Sequence, residues 1–424
     1  MTAIGARSSR FRISTFVTAH DLRFLRKSKL LAYALVGLTL SVGSSAGQNV
    51  IKVGDINSYS NQAPGTEPYR RGAEIALEEI NAAGGINGRP LQIVFRDDAS
   101  KAGDAIRHAE ELTASEGVSM LAGGYLSSVC LALADFAKQR KVPFVCGIAV
   151  SDAIVWEKGN RYTFQTAPNT YMQTRALAEI AARLPAKTWA TVAPNYEYGT
   201  SFVARFKEAL LRLRPDVKFV AEQWPALNKI DAGPTIDALL SAQPDAIFNA
   251  EFGTDLIRFV RESNTRNAFK GKAVVSALTG QPEYLETLQN ETPEGWIVSG
   301  YPWQSVDTPE HKKFLAAYEK KYKDNPKSGS IYGYVTYKAI AAALTKANST
   351  DPEKILSAFA DLTIDTPIGP VTYRSADNKA TIPVFTGKLA KNDGKGVMVE
   401  WAEQDGAKLL PEPSEAAKWR PASP

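Results

Sequence analysis

The stretch from Leu121 to Ser151, LAGGYLSSVCLALADFAKQRKVPFVCGIAVS, constrains the fold more than any other part of the chain. A short apolar strand at Met120 to Ala122 leads through Gly123-Gly124-Tyr125-Leu126 into Ser127-Ser128. An amphipathic helix follows, with Leu131, Ala134 and Phe136 among its inward residues, and a second apolar run spans Val142 to Cys146. Strand, loop, helix and strand in so short a span favour parallel strands joined by a right-handed crossover. The loops that leave the strands then share one edge of the sheet, so Gly124 to Ser128 and Gly147 to Ser151 should meet at one crevice.

Serine at the start of that helix has two physical readings. Its hydroxyl can cap free backbone N–H groups, and those groups with the positive end of the helix dipole also suit a small anion such as a carboxylate. Ser127 and Ser128 are therefore both helix caps and anion contacts in waiting.

The same alternation runs along the chain. Val50 to Asp55 reads as a first strand followed by a polar loop, Asn57 to Pro68. Ala73, Ala76, Leu77 and Ile80 then fall on one helical stripe, which stops at the glycines of Ala83 to Gly88. Leu91 to Phe95 is the second strand, Asp97-Asp98 a loop, and 103–116 a helix. From Tyr171 the pattern restarts, with a stripe at Leu177, Ile180, Ala181 and Leu184, and strands at Trp189 to Ala193, Phe219 to Gln223, Ala246 to Asn249 and Ala273 to Ser276. Two α/β lobes are the consequence. Helices are expected at about 309–323, 330–347 and 352–360, then short β runs such as Val371 to Tyr373 and Val384 to Leu389, and a frayed tail over 411–424.

Charge is informative only once it is located. The net +5 arises from seven Arg and Lys against one Asp in residues 1–46, leaving 43 basic and 44 acidic groups in the rest. No basic face, and hence no nucleic-acid partner, is implied. The basic start is followed by an apolar run, Leu30 to Val42, and by Ser44-Ser45-Ala46, the order of a secretory signal peptide over 1–46. Export would permit a disulfide between the only two cysteines, Cys130 and Cys146, but two separate buried thiols are the preferred reading, because a Cα separation cannot be read from sequence.

Catalytic patterns are missing. His108 and His311 have no recognisable catalytic or zinc partner, and there is no G-x-S-x-G, phosphate loop or Cys-x-x-Cys. Asp97-Asp98 reads as a hydrogen-bonded loop ahead of a carboxylate dyad. An enzyme is not expected.

Taken together, Ile51 to Asp55, the run from Arg71-Gly72-Ala73 to Gly88, Asp97-Asp98, Ser127-Ser128 and Tyr196-Glu197-Tyr198-Gly199 resemble the leucine/isoleucine/valine-binding type of periplasmic solute-binding protein, which serves ABC importers. The resemblance spans about 49–400. It implies the type I periplasmic binding fold, two Rossmann-like α/β lobes with a three-crossing hinge near Pro168, Gly300 and Ala380. Lobe 1 would hold 49–168 and 301–380, and lobe 2 would hold 169–300 and 381–410. It also implies a periplasmic monomer without cofactor that closes on a small carboxylate or amino acid and docks on an inner-membrane ABC permease. A sensor for a signalling partner, or a two-lobed enzyme, are the alternatives.

The resemblance places ligand contacts residue by residue. The family serine that holds the ligand carboxylate falls on Ser127, with Ser128 beside it; the backbone position after the next strand falls on Ala149. A family threonine falls on Val150, where Ser151 is the available hydroxyl, and the second-lobe tyrosine falls on Tyr198. The aromatic position falls on Phe252 beside Glu251, and the acid that holds an α-ammonium falls on Leu278. Tyr125 and Tyr69 complete the expected pocket. Leu278 leaves an ammonium without its counter-charge, which is costly in a closed cleft. The ligand expected is thus a small carboxylate with an apolar or aromatic body, with a branched-chain amino acid as the alternative.

Overall fold

The computed structural model describes residues 50–421. The expected signal peptide, 1–46, lies outside the described residues. The first half of the chain alternates as β1 (Ile51–Asn57), α1 (Ala63–Ala82), β2 (Leu91–Asp97), α2 (Ala102–Ala114), β3 (Met120–Gly123), α3 (Ser127–Arg140), β4 (Phe144–Cys146) and β5 (Thr163–Gln165). These strands form one parallel sheet in the order β2-β1-β3-β4-β5. The strand order reverses between β1 and β3, which is where an open α/β sheet opens a crevice at its carboxyl edge.

The second half continues with α4 (Thr170–Ala181), β6 (Thr188–Val192), α5 (Glu197–Leu213), β7 (Lys218–Gln223), α6 (Ala232–Ser241), β8 (Ala246–Asn249), α7 (Gly253–Thr265), β9 (Ala273–Gly280), α8 (Pro282–Leu288) and β10 (Ile297–Gly300). Helices α9 (Pro309–Tyr322), α10 (Ser328–Ala347) and α11 (Pro352–Phe359) follow, then the hairpin β11 (Leu362–Thr366) and β12 (Gly369–Tyr373). The chain ends with β13 (Val384–Asn392), β14 (Lys395–Gln404), α12 (Gly406–Leu409) and α13 (Pro413–Trp419). The second sheet runs β14-β13-β10-β9-β8-β6-β7, parallel except for β13 and β14. It reverses order between β6 and β8, so each lobe turns an equivalent edge toward the other.

Helix α10 returns to the first lobe and lies against α1. Gly72 and Gly333 make this approach possible: a Cβ on Gly72 would stand 1.9 Å from the Ser330 carbonyl oxygen, and one on Gly333 2.0 Å from that of Tyr69. A methyl group there meets backbone, which cannot rotate away. Gly72→Ala should cost about 1–3 kcal/mol through separation of the two helices. Urea midpoints of the two proteins check this, and equal midpoints would show that the helices part freely.

Three local expectations need correction. The segment expected as a polar loop to Pro68 is helical from Ala63, because Pro64 suits the first turn and Pro68 costs only one hydrogen bond near the start. The end of the chain is not frayed throughout, since residues 413–419 form α13 and the Trp419 ring packs 4.9 Å from Trp156 and 5.6 Å from Tyr171. Cys130 and Cys146 are joined, with Cα atoms 6.2 Å apart. Parallel pairing of β3 with β4 brings the first turn of α3 over the end of β4, a juxtaposition that spacing alone does not reveal.

Candidate functional site

The carboxyl edges of the two sheets face each other across a cleft. On the first-lobe side, the loops after β3 and β4 do meet. Gly147 N–H donates to Gly123 O at 2.7 Å, Ala149 N–H to Gly124 O at 3.0 Å, and Ser151 N–H to the Ser127 hydroxyl at 3.3 Å. The Gln165 side chain at the end of β5 holds the second loop by donating to the carbonyls of Ala149 and Ser151 at 2.9 and 3.0 Å. The disulfide fastens the same two loops from below. A rigid wall results.

Between the lobes lies a cavity of about 50 Å³. Since roughly 10–15 Å³ by this measure admits one water, the space suits a small molecule and not a peptide. Tyr125, Ile148, Ala149 and Val150 line it from the first lobe, joined by Gly65 of α1 and by Ser328, Gly329 and Tyr332 of α10. The second lobe supplies Tyr196 and Tyr198 from the turn into α5, Phe252 from the turn into α7 and Leu278 from the end of β9, with Gln173, Gln281 and Glu283. A smaller chamber of about 20 Å³ adjoins it toward the hinge, sharing Gln173, Gln281, Ser328 and Tyr332.

Five aromatic side chains line the wall. Tyr198 packs 4.9 Å from Phe252 and 5.8 Å from Tyr196, to which it is nearly parallel, and Tyr125 reaches across from the other lobe to 6.3 Å from Phe252. Burial drives the Tyr125 and Tyr198 phenols well above their ordinary range, so both stay protonated as donors. Two polar atoms on this wall, the Tyr198 and Ser328 hydroxyls, are buried without a partner among the described residues. Unpaired buried polar groups cost free energy, and a bound solute is what would relieve that.

Glu283 is the only charged side chain lining the cavity among the described residues. Its carboxylate accepts the N–H of Ser328, the first residue of α10, at 3.4 Å across the cleft. Burial raises it to about 7 despite the Ser328 N–H and the Lys327 ammonium. Lys327 itself bridges to Glu286 at 2.6 Å. On the opposite rim, Ser151 donates to Glu197 at 2.7 Å, and Arg205 and Ser201 of α5 hold Asp152 at 2.5 and 2.8 Å. The lobes thus touch on both rims, and the cavity is closed between them.

Of the residues expected to hold a ligand, Tyr125, Ala149, Val150, Tyr198, Phe252 and Leu278 line the cavity. The others do not. Ser127 is buried directly behind the wall, its oxygen taken by Ser151 N–H, and it does not cap its helix, whose cap position is Leu126. Ser128 faces solvent, one residue around the helix. Ser151 is committed to the N–H of Ala153 and to Glu197. Tyr69 lies in the core of the first lobe beside Asp55, beneath Gly147, where a Cβ would fall 2.5 Å from its ring. Arg70 and Arg71 pair with Glu74 and Asp324 away from the cavity.

Glu251 is fully buried beside Phe252, with both carboxylate oxygens unpartnered among the described residues, and does not line the cavity. Asp97 and Asp98 hold their loop, accepting from Ala99 and Ser100 N–H at 3.0 and 2.8 Å. His311 is buried, its ring 2.6 Å from the Tyr301 hydroxyl, and lowered by burial to about 4. Among the described residues no cluster of three potential metal ligands occurs.

Gln173, Gln281, Glu283, Ser328 and Tyr332 carried no signal in the sequence. They enter the site from α4, α8 and α10, which packing alone brings to the cleft. Tyr196 was within reach, since it belongs to the Tyr196-Glu197-Tyr198-Gly199 motif.

The sequence signature described as periplasmic binding protein matches residues 51–395, and the chain belongs to that family. It is 28% identical over 349 residues to the Leu/Ile/Val-binding protein homolog 7 of Brucella abortus (strain 2308), covering 78% of this chain and 86% of that one. It is 27% identical over 415 residues to homolog 8 of Brucella suis biovar 1, covering 93% and 99%. Among solved structures, it superposes with a TM-score of 0.76 on an ABC transporter solute-binding protein of Rhodopseudomonas palustris BisB5 in complex with 3,4-dihydroxybenzoic acid, at 23% identity and covering 86% and 99% of the two chains. A solute-binding protein from R. palustris in complex with benzoate gives a TM-score of 0.74 at 21% identity, covering 84% and 97%.

Proposed function

We propose that this protein is the periplasmic solute-binding component of an ABC importer, and that its ligand is a small carboxylate with an aromatic body. The observation that carries the reading is the closed cavity whose wall is Tyr125, Tyr196, Tyr198, Phe252 and Tyr332, with Leu278 at the position where an α-ammonium would need an acid. Flat aromatic surfaces favour a planar guest between them. The ligands of the R. palustris proteins support the same class.

The carboxylate would meet the first-lobe wall. Behind that wall Ser127 accepts from Ser151 N–H and so anchors the loop that the carboxylate would meet, in the first turn of α3, where the dipole favours an anion. Binding involves no bond-making, and the protein acts as a carrier and not as an enzyme. Ligand stabilises the closed arrangement of the rims, and the closed surface is what an inner-membrane permease would recognise.

Calorimetry of the chain starting after Ala46 against benzoates, cinnamates, leucine and phenylalanine tests this reading. Aromatic acids should bind and the amino acids should not; the reverse would return the ligand to the branched-chain amino acid class. Ser127→Ala should weaken the aromatic acid about tenfold, because the loop that meets the carboxylate loses its anchor at Ser151 N–H. Unchanged affinity would remove Ser127 from the anion site.

A further inference from the structure

The aromatic-acid reading leaves Glu283 unexplained. A ligand carboxylate cannot sit beside another carboxylate in a closed cavity, so the ligand must turn its anionic end to the Ile148 to Val150 wall and its ring toward α8 and α10. There the ring meets Glu283, whose Oε2 makes a long 3.4 Å bond to Ser328 N–H. The Ser328 hydroxyl beside it is buried and unpartnered among the described residues. Ring C–H groups against these atoms would leave them desolvated and unpaired; a ring hydroxyl would donate to the carboxylate and accept from the serine.

We propose, on the basis of the aromatic-acid reading, that Glu283 is a specificity-determining acceptor and that the solute is a ring-hydroxylated aromatic acid in preference to its unsubstituted parent. The principle is that a site built to hydrogen-bond a hydroxyl rejects the analogue that lacks it more strongly than an apolar pocket rejects an extra group. Glu283 also joins the lobes through Ser328, so reading the hydroxyl and holding the closed state fall to the same side chain. Its carboxyl titrates near 7, and the acceptor is at full strength above that pH.

The test is calorimetric titration at pH 8 of wild type, Glu283→Met and Glu283→Gln with benzoate, 3-hydroxybenzoate, 4-hydroxybenzoate and phenylalanine. Wild type should bind the better hydroxybenzoate at least about tenfold tighter than benzoate, as one charge-assisted hydrogen bond provides. In Glu283→Met, that ratio should fall to within about threefold while benzoate tightens, because no carboxylate is left unpaired. Benzoate binding also reports that the variant is folded; Glu283→Gln keeps the Ser328 contact and should lie between the two. Equal binding of benzoate and hydroxybenzoates by wild type, or a ratio untouched by either substitution, would overturn the assignment while leaving the aromatic-acid reading intact. If no aromatic acid binds wild type, that reading fails instead, and loss of phenylalanine binding in Glu283→Met would make Glu283 the counter-charge of an ammonium.

Discussion

Replacing Glu251 by glutamine should stabilise the protein at pH 8 and have little effect at pH 4.5. Glu251 follows β8, is fully buried, and has both carboxylate oxygens unpartnered among the described residues. Burial, followed by the neighbouring Asp255 charge, raises it from the usual 4.5 to about 8. The folded protein therefore holds this proton to a higher pH than the unfolded chain does. Its stabilising contribution is complete below about pH 4.5 and is lost progressively as the pH rises to about 8.

At about 1.4 kcal/mol per pKa unit, the full loss is about 3–5 kcal/mol, an upper range for one group. Asp55, Asp98 and Glu283 are raised by burial as well and slope the same way, so the informative quantity is the difference between variant and wild type. Urea unfolding at pH 5, 6.5 and 8 measures it. The gap should widen with pH in favour of Glu251→Gln, and parallel pH profiles would mean that the carboxylate is compensated in the folded state.

Removing the disulfide should cost about 3 kcal/mol. The bond spans a sequence separation of 16, and closing a loop of that size restricts the unfolded chain by about this amount. The effect should reach the ligand as well, because Cys130 lies in the first turn of α3 and Cys146 ends β4, beneath the two loops that form the anion wall. Gly124 packs against the bond so closely that a Cβ there would lie 2.3 Å from the Cys130 sulfur. A Cys130→Ala, Cys146→Ala double variant should show a lower urea midpoint and weaker ligand binding than the oxidised protein. If reduction and the double substitution leave both quantities unchanged, the wall is held by its backbone hydrogen bonds alone.

How much of this was legible beforehand depends on whether a signal is local. The strands β1, β3, β8 and β9 and the helices α2, α9 and α10 follow from short apolar runs and 3.6-residue periodicity that the sequence displays directly. So does the meeting of the loops after β3 and β4, because a right-handed parallel crossover leaves no other edge for them. Tyr125, Ala149, Val150, Tyr198, Phe252 and Leu278 were accessible because each sits at or beyond the carboxyl end of a strand of one sheet or the other. The family resemblance then supplied the facing of those two sheets.

What the sequence determined alone was the succession of strands and helices, and hence which loops share an edge, since backbone hydrogen bonding and apolar periodicity act over a few residues. Tertiary structure decided the rest. Tyr69 and Ser128 fall outside the cavity because the direction of one side chain depends on what packs beside it, and no period records that. Glu283 and Ser328 are 45 residues apart and on different lobes, yet they meet in the cleft. Cys130 and Cys146 pair because β3 lies beside β4. Each of these contacts exists only after separate elements have packed, and it is that packing which places an acid against the aromatic wall.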